Sequence, residues 1–307
     1  MDMRFLELLS DARTPALTWF NSIITVIGES TIFIAVLCLI FWCIDKKFAY
    51  RLGIVYVISG LIVNSTKILC RVPRPWVRDK SFKAVESAKH TATGYSFPSG
   101  HTQNVTALFS SFAFVSKKKS VKFACFATIF LVMFSRMYLG VHTPSDVLVS
   151  FGITIIVSFI INYYAENYSV HPSFVKRTMI FLIILTFIAV GIIAYVGLAV
   201  PGVPFNKLTD TAKAAGAAAG FIIGYYIETK HIRFNERATT LPLQIVKYII
   251  GLVLTLLLNS VLSYIVKSFF SGILPLYFIS KMLVILFILC VYPIIIKKFF
   301  TKEYYLS

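Results

Sequence analysis

The chain has 307 residues, of which 58% are hydrophobic and only 14% charged, with a formal net charge of +17 and a mean hydropathy of +0.80. Apolar runs of roughly 18–25 residues match a bilayer core and recur too often for a soluble protein, so the fold class is all-α: a polytopic transmembrane helical bundle. The positive charge sits in short turns between apolar runs, with no aromatic-interleaved basic patch, which argues for membrane topology and against nucleic acid as a partner.

The first eighteen residues mix Arg4, Glu7, Asp11 and Arg13 with Phe5, Leu6, Leu8 and Leu9. That pattern predicts an interfacial amphipathic helix, and it is not that of a cleavable signal peptide. About nine spans are then predicted, near 19–43, 49–69, 101–116, 121–139, 146–165, 178–200, 212–228, 243–266 and 277–297. The third is short, and its Thr106, Ser110 and Ser111 suit a helix enclosed by neighbours. In the seventh, Ala212, Gly216, Gly220 and Gly224 recur every four residues. Small residues at that spacing let helices approach closely; internal packing is the expected role, with a homodimer contact through 212–224 as the lesser alternative. The five cysteines are scattered through apolar runs without a CxxC pair, and read as small hydrophobes.

Cations mark alternate turns: Lys46, Lys47 and Arg51; Lys117, Lys118, Lys119 and Lys122; Lys176 and Arg177; Lys230, Arg233 and Arg237; Lys297, Lys298 and Lys302. By the positive-inside rule these lie in the cytoplasm, which puts the N-terminus, the 70–100 loop and the 140–146 loop outside. The outer loop carries Arg71, Arg78, Lys80, Lys83 and Lys89, either tolerated by its length or forming an electropositive funnel.

Three polar clusters fall on that outer side: Lys67 to Pro75, then Pro98-Ser99-Gly100-His101, then Ser135-Arg136 followed by His142 and Asp146. Cleaving a phosphate ester requires cations on the equatorial oxygens, an in-line nucleophile and an acid for the leaving oxygen. Lys67, Arg74 and Arg136 supply the charge, the arginines as bidentate forks. Gly100 permits close backbone approach, and the helix that starts there offers free N–H groups to an anion. Asp146, four residues after His142, can fix the tautomer of a histidine, so the set has the composition of a generalised triad.

Lys67-x6-Arg74-Pro75, Pro98-Ser99-Gly100-His101 and Ser135-Arg136-x5-His142-x3-Asp146 together resemble the three-motif pattern of the type 2 phosphatidic acid phosphatase (PAP2) superfamily, with every defining position filled over residues 60–150. The resemblance implies a PAP2-like catalytic core in 1–170, with 171–307 supplying further spans that complete the bundle. It implies an integral membrane lipid phosphatase needing no cofactor and no metal. The site faces the extracytoplasmic side of the plasma membrane, and the substrate is a lipid phosphate or diphosphate such as phosphatidic acid, phosphatidylglycerol phosphate or undecaprenyl diphosphate. On this similarity His101 is the nucleophile that forms a phosphohistidine and His142 the acid and later the base. Asp146 orients one histidine, in this family usually the nucleophilic one. Lys67, Arg74, Ser99, Gly100 and Arg136 hold the phosphate. The absence of HExxH or a carboxylate-rich pair agrees.

A lipid phosphotransferase would use the same residues, and a lipid or anion transporter is the more distant alternative. A vanadium-dependent haloperoxidase shares the oxyanion pocket, but the spans argue against it. Glu29 lies within the first predicted span, where a structural pairing with Lys67 or Arg51 is expected. His90 is expected to be solvated, and His171 and His231 to lie on the cytoplasmic side, out of reach of the site.

Overall fold

The computed structural model describes residues 2–168, 172–237 and 240–300; His171 and Lys302 lie outside the described residues. Those residues form helices and turns without a strand. The principal helices are α1 (Asp2–Asp11), α2 (Pro15–Val26), α3 (Ser30–Ile44), α4 (Lys46–Cys70), α5 (Gly100–Val115), α6 (Lys119–Tyr138), α7 (Pro144–Tyr168), α8 (Pro172–Ala199), α9 (Phe205–Ile227), α10 (Leu241–Phe269) and α11 (Leu274–Phe299).

Six of these are long and apolar enough to cross a membrane, and a seventh results if α2 and α3 act as one span bent by 46°. The expected nine is therefore too many, and the reason is physical. Helix α5 has 16 residues, about 24 Å, short of a hydrocarbon core of about 30 Å. Helix α9 carries Lys207, Asp210 and Lys213 in its first turns and a small-residue face, so its apolar content is low. Both pack inside the bundle: Thr106, Ser110 and Ser111 of α5 are fully buried, as their composition predicts.

Local signals set the helix ends. Thr14 caps α2 ahead of Pro15, and Asp45 caps α4 by accepting from the Lys47 and Phe48 amides. Arg71 ends α4 in the left-handed conformation (φ 51°), its N–H bonded to the Lys67 carbonyl. Ser99 caps α5 by accepting from the Thr102 amide.

Helix α4 is the central post. One apolar core runs from Phe33, Phe41 and Trp42 through Leu52, Val55 and Leu61 to Phe221, Val284, Ile288 and Tyr292, joining both halves of the chain. At the end away from the motifs, buried Glu228 receives Lys46 at 2.9 Å and the Tyr50 hydroxyl, while Lys297 donates to the Ile232 carbonyl. The cation-rich turns at 46–51, 117–119, 230–237 and 297–298 thus gather at one end, and the three motifs at the other.

The face of small residues on α9 is filled by the chain's own α11. A Cβ on Gly216 would fall 2.0 Å from the Phe278 carbonyl oxygen, and one on Gly220 2.7 Å from that of Met282. This is the packing role expected for 212–224, and it leaves that face no room for a second copy.

Helix α1 roofs the motif end. Leu6 is fully buried with Phe82, Ala88, Tyr138 and Val141, and Arg13 donates to the Tyr138 carbonyl. The helix therefore packs on the outer loop as well as presenting an apolar face.

Candidate active site

The three motifs converge at the ends of α4, α5, α6 and α7. Lys67 lies on the last turn of α4, buried, with Nζ 3.8 Å from where a Gly100 side chain would begin. Arg74 enters from the following loop and is held by its backbone neighbours: one Nη donates to the Val141 carbonyl at 2.9 Å and the other to that of Thr93 at 2.5 Å. Arg136, on the last turn of α6, is fully buried and donates to Thr25 Oγ1 at 2.8 Å.

His142 sits in the turn between α6 and α7, 3.4 Å through Nδ1 from Asp146 Oδ2. The same carboxylate oxygen accepts from Ser96 Oγ at 2.5 Å and the Thr143 amide at 2.8 Å. Arg74 Nη1 lies 2.9 Å from His142 Nε2. An arginine can only donate, so Nε2 is the accepting nitrogen and the proton resides on Nδ1, facing Asp146. Burial, reinforced by Arg74, Arg136 and Lys67, holds the His142 imidazole well below the usual histidine range, so it stays neutral. Asp146 therefore orients His142. That answers the question the spacing left open, and it places the carboxylate on the histidine other than the presumed nucleophile.

His101, second residue of α5, faces the same cavity, and its buried Nε2 has no hydrogen-bond partner among the described residues. Gly28, at the break between α2 and α3, makes room for it: a Cβ there would meet His101 Cβ at 3.1 Å and Val132 at 3.0 Å. Ser99 is fully buried, and its hydroxyl accepts from the Thr102 amide, so its visible role is to start the helix. Arg74 Nε and both Nε and one Nη of Arg136 are buried donors without acceptors among the described residues. Buried polar groups are ordinarily satisfied, so three orphaned guanidinium donors beside two imidazoles mark a place for an anion.

Lys67, Arg74, Gly100, His101 and His142 line one cavity of about 430 Å³ that runs on between α3, α4, α9 and α11. None of the outer-loop cations Arg71, Arg78, Lys80, Lys83 and Lys89 lines it, and Lys89 instead pairs with Glu86 at 2.7 Å. Glu29 occupies the break between α2 and α3 and lines the cavity. Instead of an ion pair with Lys67 or Arg51, its charge offsets that of Arg136 without a contact within 4 Å. His90 is exposed and His231 is in the turn at the opposite end.

Sequence reasoning missed Ser96, which steadies Asp146, and Thr25, which holds Arg136. It also missed Asp210, Lys213, Asn259 and Lys281 on the cavity wall. Ionisable residues inside predicted spans were the signal for two of these, Lys213 and Lys281.

Two family patterns match the chain: the PAP2 superfamily over residues 48–170, and the PAP2 superfamily phosphatase transmembrane extension over residues 212–303. Between them they cover more than half of the sequence. The chain belongs to the PAP2 superfamily. Among curated PAP2-like relatives, a probable sphingosine-1-phosphate phosphatase of Dictyostelium discoideum is 24% identical over 71% of this chain and 56% of its own length. Phosphatidylglycerophosphatase B of Bacillus subtilis (strain 168) is 27% identical over 48% of this chain and 77% of its own. Undecaprenyl-diphosphatase BcrC of the same organism is 34% identical over 34% and 51%. The chain thus spans about half to three quarters of these proteins. A crystal structure of Aquifex aeolicus LpxE aligns with a TM-score of 0.46 and 26% identity, over 53% of this chain and 95% of that one. The first PAP2 pattern contains all three motifs, and the second contains the wall of the cavity formed by α11.

Proposed function

We propose that this PAP2 chain is a lipid phosphatase that hydrolyses a lipid phosphate or diphosphate without a metal, at the extracytoplasmic face of the cell membrane. The observation that carries the reading is the neutral, carboxylate-oriented His142 beside orphaned donors of Arg74 and Arg136. The apolar continuation of the cavity along Phe33, Ile34, Leu37 and Phe221 suits a lipid tail.

The carboxylate's position supports the opposite assignment of roles to the one the resemblance suggested. With its proton on Nδ1, His142 presents the Nε2 lone pair as the nucleophile. A bound phosphate draws Arg74 onto its own oxygens and frees that lone pair. Nε2 attacks phosphorus in line, the bond to the lipid oxygen breaks, and His101, which enters as an imidazolium beside the bound phosphate, gives that oxygen its Nε2 proton and becomes neutral. His101 then takes a proton from water as the water oxygen displaces His142, which releases phosphate and restores the neutral His142 and the His101 imidazolium. Lys67, Arg74 and Arg136 stabilise the equatorial oxygens throughout. The first N–H groups of α5, at Gly100 and His101, and the Ser99 cap add to that cradle.

The test is phosphate release by the purified protein in detergent with EDTA, from phosphatidic acid, phosphatidylglycerol phosphate and undecaprenyl diphosphate. His142→Ala should lower release at least about a thousandfold. Terminally labelled substrate should leave acid-labile label on the wild-type chain and none on His142→Ala. Label retained by that variant, or no release from any lipid by folded wild type, overturns the proposal.

A further inference from the structure

The cavity that serves the three motifs has a second charged wall. Lys213 of α9 pairs through Nζ with Asp210 Oδ1 at 3.0 Å and lies 5.8 Å from the centre of the Tyr277 ring. Lys281 of α11 donates to Asn259 Oδ1 of α10. All four polar residues, Asp210, Lys213, Asn259 and Lys281, line the same space as His101 and His142. Their placement follows from the glycine contact between α9 and α11. Gly216 and Gly220 press those backbones together one turn from Lys213 and beside Lys281, so both ammonium groups are delivered to one part of the cavity.

The charges do not balance. Four cations line the cavity, Lys67, Arg74, Lys213 and Lys281, against the two carboxylates of Glu29 and Asp210. Asp210 pairs with Lys213, and Asp146 and Glu29 stand at the motif end beside Lys67, Arg74 and Arg136. Lys281 remains, a half-buried cation on the cavity wall with no ion pair among the described residues, whose polar partner is a neutral amide. A charge so placed is costly unless it meets an opposite charge when the protein works.

We propose that Lys281 and Lys213, oriented by Asn259 and Asp210, form a second anion subsite that binds a second phosphate group of the substrate, on the leaving-group side of the bond that is cut. The inference rests on the phosphatase reading for its catalytic consequence, but not for the binding itself. Once the terminal phosphate is on Lys67, Arg74 and Arg136, the fragment that departs carries its remaining phosphate against Lys281. Its negative charge is compensated as the bond breaks. Either a diphosphate or a terminal phosphate joined through glycerol to a phosphodiester supplies such a group.

Binding is measured first, by melting-temperature shift of the purified full chain with methylenediphosphonate and with methylphosphonate. Wild type should bind the two-phosphorus ligand at least about tenfold more tightly. That advantage should shrink to within about twofold in Lys281→Met and return in Lys281→Arg. No advantage in wild type, or one that survives in both Lys281→Met and Lys213→Met, overturns the subsite whether or not the protein hydrolyses lipids. If Lys281→Met does not fold, Asn259→Ala and the wild-type comparison still decide.

Turnover then separates the two sources. The kcat/KM of undecaprenyl diphosphate relative to phosphatidic acid, and of phosphatidylglycerol phosphate relative to phosphatidic acid, are compared between wild type and Lys281→Met. A fall of about tenfold in the first ratio identifies a directly attached second phosphate, and in the second a glycerol-spaced one. Neither ratio changing by more than about twofold overturns the proposal. A wild type that binds methylenediphosphonate but releases no phosphate from any lipid rejects the phosphatase reading and leaves the subsite standing.

Discussion

Asp146 shows how much of this site depends on one side chain. Its carboxylate receives Ser96, the Thr143 amide and His142, while its own carbonyl accepts the Ser99 amide, so it ties the second and third motifs together. Replacing it with asparagine keeps an acceptor for the Thr143 amide but removes the charge that holds the His142 proton on Nδ1. Asp146→Asn should therefore lower kcat about a hundredfold or more, with KM changed by no more than a few fold. Steady-state kinetics on a variant of unaltered melting temperature checks this, and an equal loss confined to KM would remove Asp146 from the chemistry. The roles of the two histidines also belong to this scale. Motif spacing says only that Asp146 is one helical turn from His142, and a residue four away can point elsewhere. The contact with Asp146 at 3.4 Å and the bond from Arg74 at 2.9 Å decide the tautomer.

Among the elements, α9 and α11 make the tightest contact, and glycine makes it achievable. A side chain at Gly216 would overlap the Phe278 backbone, which cannot yield as a flexible side chain would. Gly216→Val should cost about 1–3 kcal/mol or more and lower the melting temperature in detergent. Gly152→Ala in α7, where a Cβ meets nothing within 4 Å, should be neutral or stabilise by about 0.5–1 kcal/mol. Equal melting temperatures for both variants would contradict the packing. The four-residue period of small side chains made a close helix contact legible from the sequence. Its partner was not legible, because small residues specify an approach distance and not a neighbour. The span count failed for a related reason. A 16-residue helix and one with three charges near its start are both stable here only because other helices enclose them. Hydropathy measures affinity for lipid and is blind to that enclosure.

The whole molecule is polarised, with cation-rich turns at one end and the three motifs at the other. On the proposed orientation the motif end faces outside. His90→Cys, in the exposed outer loop, should react with an impermeant maleimide on intact cells, and Lys118→Cys, in the turn between α5 and α6, only after lysis, both in a background without the native cysteines. The opposite pattern would put the site in the cytoplasm. The two halves also act as one body, since the core on α4 includes Phe221, Val284 and Tyr292. At the site, Lys207 and Asp210 reach the outer loop at the Gly94 carbonyl (3.1 Å) and Thr93 Oγ1 (3.0 Å), next to the carbonyl that holds Arg74.

By itself the sequence determined an all-helical membrane protein, the side on which its charged turns collect, and the motif residues from Lys67 to Asp146 proposed as the catalytic set. Those properties are written in composition, in charge distribution and in motifs of short local spacing. The tertiary structure alone decided which histidine the carboxylate serves, which helix fills the small-residue face of α9, and that Asp210, Lys213, Asn259 and Lys281 share a cavity with His101 and His142. Each of these joins residues far apart in the chain, and only the packing of α9 and α11 against α4 brings them within reach of one another.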